Sequence, residues 1–227
     1  METWTHLINW QEETVKKLDK IATRVSEPGM ERFNKPGWVN LVWTADWARR
    51  IHLDVVDARD TKGLWMMHFC MFPHLTNSGP IYGLDAIAGK NKLTGFFHDM
   101  SPTVDENCNM ISVFGDVLEN YTWKKERELP DWAKAIFSPS ILAVGNINTE
   151  DELKSLLEIS SNNFDEYIST IRDYDDTCES ISGRNAQNRY GHYQKLNPHT
   201  PKTMAALGLN PDDVTAFVQE CLFPDIQ

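Results

Sequence analysis

Between Gly37 and Pro102 the chain runs in short, dense apolar blocks. WVNLVWTAD, ARRIHLDVVDA, GLWMMHFCMFP, GPIYGLDAIAG and KLTGFFHDMSP are rich in aromatic and β-branched residues, a composition that fits pleated strands. Turn signals such as RDTKG, TNSG and AGKNK separate them. Linkers that short leave no room for parallel crossovers, so the pattern predicts an antiparallel meander of about five strands. In GLWMMHFCMFP, alternation puts Met66, His68, Cys70 and Phe72 on one face and Met67, Phe69 and Met71 on the other. Both faces are largely apolar, which predicts a central strand covered on both sides.

Outside this block the period is helical. Residues 1 to about 26 predict a helix with Leu7, Ile8, Val15, Leu18 and Ile21 as its stripe, broken by Pro28 and Gly29. Helical segments are expected over 104–120, 128–136, 149–176, 183–196 and 211–222. Thr149 with Glu152 makes a capping box, and Asn210-Pro211 a capped start. A sheet with helices before and after it predicts an α+β, three-layer α/β/α sandwich around a central antiparallel sheet, one domain over 1–227.

Composition narrows the function. A formal net charge of −11 disfavours nucleic-acid binding. No apolar run is long enough to span a membrane, and the N-terminus lacks a signal-peptide pattern, so a cytosolic protein is expected. Cys70, Cys108, Cys178 and Cys221 form no CxxC pair and read as reduced, mostly buried thiols. GxGxxG after a strand, P-loop, HExxH and GxSxG are all missing, so a redox enzyme here needs electrons from outside.

Three neighbouring strands each carry an ionisable residue in an apolar setting: Asp54, His68 and Asp85. Asp54 either faces solvent or finds a partner, since an unpaired carboxylate inside a strand is costly. His68 reads as a core histidine or as part of a site; a His68–Cys70 metal pair lacks further ligands at motif spacing. Asp85 points to solvent or lines a cavity, where desolvation favours its protonated form. His74 and Cys70 look incidental. The three together suggest a proton-delivering pocket.

The run HLDVV…GLWMMHFCMFPHLTNSGPIYGLDAIAG…LTGFFHDMSPT resembles the core of the ferredoxin-dependent bilin reductases, and is most similar to their phycocyanobilin:ferredoxin oxidoreductase branch. LPDWAKAIFS, NRYGHYQKLNPHTPKTMAALG and FVQECLFPDI extend the similarity from about Trp38 to the C-terminus. The resemblance implies biliverdin IXα held between the sheet and the C-terminal helices, no bound flavin or metal, and reduced ferredoxin as external electron donor. The bilin itself then carries the radical. It implies that Asp85 is the central proton donor, that His68 works with it, that Asn197 faces the pigment from the other side, and that Thr94 contacts a propionate.

Two departures from the family pattern matter. The phycocyanobilin branch has a glutamate where this chain has Asp54, and the spacing to His68 is two residues longer here. That glutamate serves reduction of the D-ring vinyl group. A shorter aspartate points instead to the route through the 15,16 bridge and then the A-ring diene, as in viral-type members, giving phycoerythrobilin. Phycocyanobilin, 15,16-dihydrobiliverdin and a noncatalytic tetrapyrrole carrier are the alternatives. The arginine that grips a propionate is also missing from Phe137 to Asn146, which leaves Arg184, Arg189, Lys195, His199 and Lys202 as substrate-binding candidates. Lys124, Lys125, Arg127 and Lys134 form a candidate ferredoxin patch. A monomer is expected.

Overall fold

Each apolar block becomes a strand because its turn residues force a reversal before the next block begins. The computed structural model describes residues 2–104 and 108–227. Its antiparallel sheet has strand order β1-β2-β3-β4-β5-β6-β7. The strands are β1 (Thr23–Val25), β2 (Trp38–Ala45), β3 (Ala48–Ala58), β4 (Leu64–Pro73), β5 (Ile81–Gly89), β6 (Lys92–Ser101) and β7 (Leu142–Val144). The helices are α1 (Thr3–Ile21), α2 (Arg59–Lys62), α3 (Asn109–Leu118), α4 (Asp131–Lys134), α5 (Glu150–Thr170), α6 (Ser180–Lys195), α7 (His199–Ala206) and α8 (Pro211–Ala216). A π-helical turn, Phe217–Leu222, continues α8.

The five expected strands all form, and the meander gains an edge strand at each end. Residues 23–25 were expected to be helical, but they extend and pair with β2 through Thr23↔Thr44 and Val25↔Val42. Val144 pairs with Phe96. Three-residue strands carry too few alternating positions to register as a pattern. The expected helix over 104–120 forms as α3 from Asn109; residues 105–107 lie outside the described residues, as does Met1. Over 128–136 only the single turn α4 forms. Helix α7 was not foreseen.

Alternation sends one set of side chains to each side. On the first face Trp43, Leu53, Phe69, Met71, Tyr82 and Phe96 pack against α1, α3 and α5 through Leu7, Trp10, Phe114, Leu156 and Tyr167. On the second, Trp38, Cys70, Phe72 and Ile81 pack against Tyr190, Met204, Phe217, Val218 and Phe223 from the C-terminal segment. β4 is therefore the doubly covered strand its pattern predicts. Helix α5 opens with the expected cap, Thr149 Oγ1 accepting from Glu152 N–H at 3.4 Å. Asn210 caps α8 by accepting from Asp213 N–H at 2.9 Å.

Helix α6 reaches the second face because Gly183 lets it. A Cβ there would stand 2.0 Å from the Leu75 carbonyl oxygen, in the β4–β5 loop. Gln187, one turn on, donates to Pro73 O at 2.9 Å. Together they seat α6 against the end of β4.

Candidate active site

The register decides which ionisable groups meet. Asp54 stands opposite His68 across β3 and β4, and His68 stands opposite Asp85 across β4 and β5. All three share the second face, so they form one row across the middle of the sheet. His68 Nδ1 lies 2.8 Å from Asp85 Oδ1. His68 Nε2 lies 3.5 Å from Cys70 Sγ. Phe223, from the C-terminal segment, stands edge-on to the His68 ring with centroids 5.6 Å apart.

Burial treats the two carboxyls differently. Asp54 is 2 % exposed, whereas the Asp85 side chain is 39 % exposed. The solvent-facing alternative for Asp54 is therefore overturned, and Asp85 is the more open of the pair. Asp54 Oδ1 accepts from the Trp38 indole N–H at 2.5 Å. Desolvation pushes the Asp54 carboxyl up to about 7, against the opposing pull of that indole bond and of His68. For His68, burial alone works against the proton. The neighbouring Cys70 sulfur and Asp85 carboxylate outweigh it and hold the ring well above the ordinary histidine range. The row can hold protons near neutrality at two adjacent places, an acid at Asp54 and an imidazolium at His68.

A second layer frames it. His52, fully buried, places Nε2 3.2 Å from Asn40 Oδ1, while its Nδ1 finds no partner among the described residues. Burial first, then Arg50 and His68, push its imidazole well below the usual range, so His52 is neutral. Arg50, also buried, pairs with Glu27 at 2.7 Å and donates to Cys221 O at 2.7 Å and Leu222 O at 3.3 Å. It thereby ties the π-helical turn to β3 and sets Phe223 above His68.

Comparisons with known proteins give this row its context. The sequence profile described as ferredoxin-dependent bilin reductase matches residues 8–224. The chain belongs to that family of oxidoreductases. Phycocyanobilin:ferredoxin oxidoreductase from Prochlorococcus marinus (strain MIT 9313) is 27% identical over 184 residues, covering 78% of this chain and 67% of that protein. The protein of the same name from Synechococcus sp. (strain CC9605) is 33% identical over 107 residues, covering 46% of this chain and 41% of that protein. A solved structure of a protein named PcyX is 37% identical, with a TM-score of 0.75 over 97% of this chain and 99% of the other. Phytochromobilin synthase from tomato, solved in complex with biliverdin, shares the fold at 14% identity, with a TM-score of 0.76 over 97% of this chain and 82% of the other.

In this bilin reductase the other sequence-predicted residues stand apart from the row. Asn197 follows α6, and its Oδ1 accepts from His199 N–H at 3.0 Å, closing the turn into α7. Thr94 donates to Ile87 O at 2.9 Å within the sheet. Arg189 donates to Ala135 O at 2.6 Å. Lys195 pairs with Asp225 at 2.7 Å. Arg184 keeps a buried Nε with no partner among the described residues, and His199 and Lys202 are exposed. Among the described residues no hydrogen bond or ion pair joins any of these to Asp54, His68 or Asp85. The expected ferredoxin patch is partly neutralised: Lys124 lies 3.5 Å from Glu152 and Lys134 lies 3.8 Å from Glu128. Arg127, though exposed, donates to the Thr94 carbonyl.

Sequence reasoning missed three members of the site. Cys70 was read as incidental, yet it touches His68; the alternation that put both on one face was the available signal. Trp38 and Tyr190 gave no signal, because an aromatic at a core position looks like any other. His74 is incidental to the row as expected, its Nε2 lying 3.1 Å from Ala45 O.

Proposed function

We propose that this bilin reductase converts biliverdin IXα to phycoerythrobilin, reducing first the 15,16 bridge and then the A-ring diene. Reduced ferredoxin supplies four electrons one at a time, and the protein supplies a proton for each. The observation that carries the reading is the row of Asp54, His68 and Asp85 on the face roofed by the C-terminal helices. Asp85 is the catalytic acid that meets the pigment, being the open member of the pair. His68, bonded to it at 2.8 Å, reloads it. Protonating the bilin raises its electron affinity, so a proton store beside it lets an external one-electron donor reduce it. Asn197, by this reading, faces the pigment from the turn after α6 and can orient it or a water but offers no acidic proton. Thr94, Arg184, Arg189, Lys195, His199 and Lys202 are the proposed propionate contacts, and a cytosolic monomer the proposed state.

The vinyl group is where the product is decided. Asp54 is one methylene shorter than glutamate, and its carboxyl is drawn to the Trp38 indole at 2.5 Å. That tether favours an untouched D-ring vinyl. One observation favours phycocyanobilin instead: the Asp54 acid stands at about 7, so a proton is available if the vinyl comes near.

Anaerobic incubation with biliverdin, ferredoxin and a reducing system tests the reading by absorption and chromatography. Loss of biliverdin and a product that keeps its D-ring vinyl are expected. A product with a reduced vinyl would overturn phycoerythrobilin. Unchanged biliverdin would leave a carrier. An elution volume corresponding to a dimer would remove the monomer.

A further inference from the structure

The mechanism leaves one cluster on the second face unused. Tyr190 is buried in the middle of α6, and its Oη lies 3.7 Å from Cys70 Sγ. Gln194, one turn further along the same helix, donates its Nε2–H to Tyr190 Oη at 2.8 Å. Burial pushes the phenol well above its usual range, so it keeps its proton. Either atom can donate across the Cys70 contact; the thiol proton, turned to the phenol oxygen, leaves a sulfur lone pair for His68.

The sheet is shaped to admit this contact. Cys70 pairs across the strands with Gly83. A Cβ on Gly83 would stand 3.1 Å from Tyr190 Oη, closer than nearly all side-chain contacts allow. The missing side chain leaves room for the phenol over the Cys70–Gly83 pair. Phe72 and Phe223 flank the Tyr190 ring at centroid distances of 6.0 Å and 6.2 Å. With its own proton committed to Tyr190, the sulfur accepts from His68 Nε2–H at 3.5 Å, while Asp85 accepts from Nδ1–H. Both ring nitrogens of His68 have acceptors, the arrangement of an imidazolium.

We propose that Tyr190, acting through Cys70, is a positioning residue that keeps a proton on His68 Nε2 and ties proton delivery to the seating of α6. This rests on the reading of the row as a bilin-reducing site. The ionisable groups facing His68 are Asp54 and His52 from β3, Cys70 from its own strand, Asp85 from β5 and, through the sulfur, Tyr190 from α6. Phe223 closes the remaining side without charge. Of these, among the described residues, Cys70 alone contacts Nε2, and Tyr190 acts through it.

Nitrogen-15 NMR of histidine-labelled, ligand-free protein follows the His68 titration directly, with His68→Gln assigning the signal. Removing the sulfur acceptor in Cys70→Ala, or the phenol in Tyr190→Phe, is expected to lower the His68 transition by about one pH unit, the scale of one charge-assisted hydrogen bond. Cys70→Ser keeps an acceptor and is expected to restore part of the shift. The alkaline limb of biliverdin reduction should move to lower pH in parallel. If Cys70→Ala does not fold, Tyr190→Phe and Cys70→Ser carry the test. A His68 titration unchanged in Tyr190→Phe overturns the proposal, whatever the turnover. A shifted titration in a protein that never consumes biliverdin upholds the positioning role and counts against the bilin-reducing reading alone.

Discussion

At the level of single residues, the proposed mechanism divides one task between two aspartates. Asp85 is partly exposed and bonds His68 at 2.8 Å, and Asp54 lies sealed on the same face. Asp85→Asn is expected to bind biliverdin and stall, with turnover falling at least a hundredfold, the usual scale for a lost general acid. Full turnover by that variant would remove Asp85 from the mechanism. Asp54 makes a separate prediction about stability. Its folded pKa of about 7 lies above the unfolded value, so the unfolded chain ionises first as pH rises. Stability is then lost between about pH 4 and pH 7 and stays lost above. Asp54→Asn is therefore expected to raise the urea midpoint at pH 8 and to leave it nearly unchanged at pH 4. An equal gain at both would show an uncharged cause. Asp54→Glu, which restores reach, is expected to divert part of the product toward a reduced vinyl, readable by chromatography.

At the level of elements, what matters is how α6 and the chain end are pinned to the sheet. Gly183 gives α6 no clearance over Leu75 O. Gly183→Ala is expected to push the helix outward, to cost several kcal/mol by urea titration, and to weaken biliverdin binding with it. Arg50 holds the other flank. Its buried guanidinium pairs with Glu27 and takes the carbonyls of Cys221 and Leu222. Those carbonyls are free because they lie in the last turn of the helical segment, where no later N–H reaches them. Glu27→Ala would leave that charge buried and unpaired, at a cost of about 3 to 5 kcal/mol. Proteolysis after Leu222 should accelerate along with it. The long elements were legible because their periods repeat often enough to read. The turn at Phe217–Leu222 was expected as α-helix, since its residues fit either winding.

Across the whole molecule, an acidic chain must meet an electron donor. Formal net charge is −11, and acidic ferredoxins are repelled by it at long range. Of the proposed docking residues, Lys124 and Lys134 are already shared with Glu152 and Glu128. Modest salt should therefore speed electron delivery before higher salt slows it; a monotonic fall from the lowest ionic strength would point to a stronger positive patch than this one. Among the described residues no helix is long and apolar enough to cross a membrane. No group of three or more His, Cys, Asp or Glu among them is arranged to hold a metal ion.

The sequence by itself determined the meander, the doubly covered β4, the helical layers and the family, because each rests on periods and motifs that are local in the chain. It also named Asp54, His68 and Asp85. Only the tertiary structure decided which of them is sealed and which is open, because burial depends on what α6, α8 and the chain end lay over the sheet. Cys70 and Tyr190 are 120 positions apart, and no spacing rule reaches that far. Register brought Cys70 opposite a glycine, and the gap above that glycine let a distant phenol complete the site.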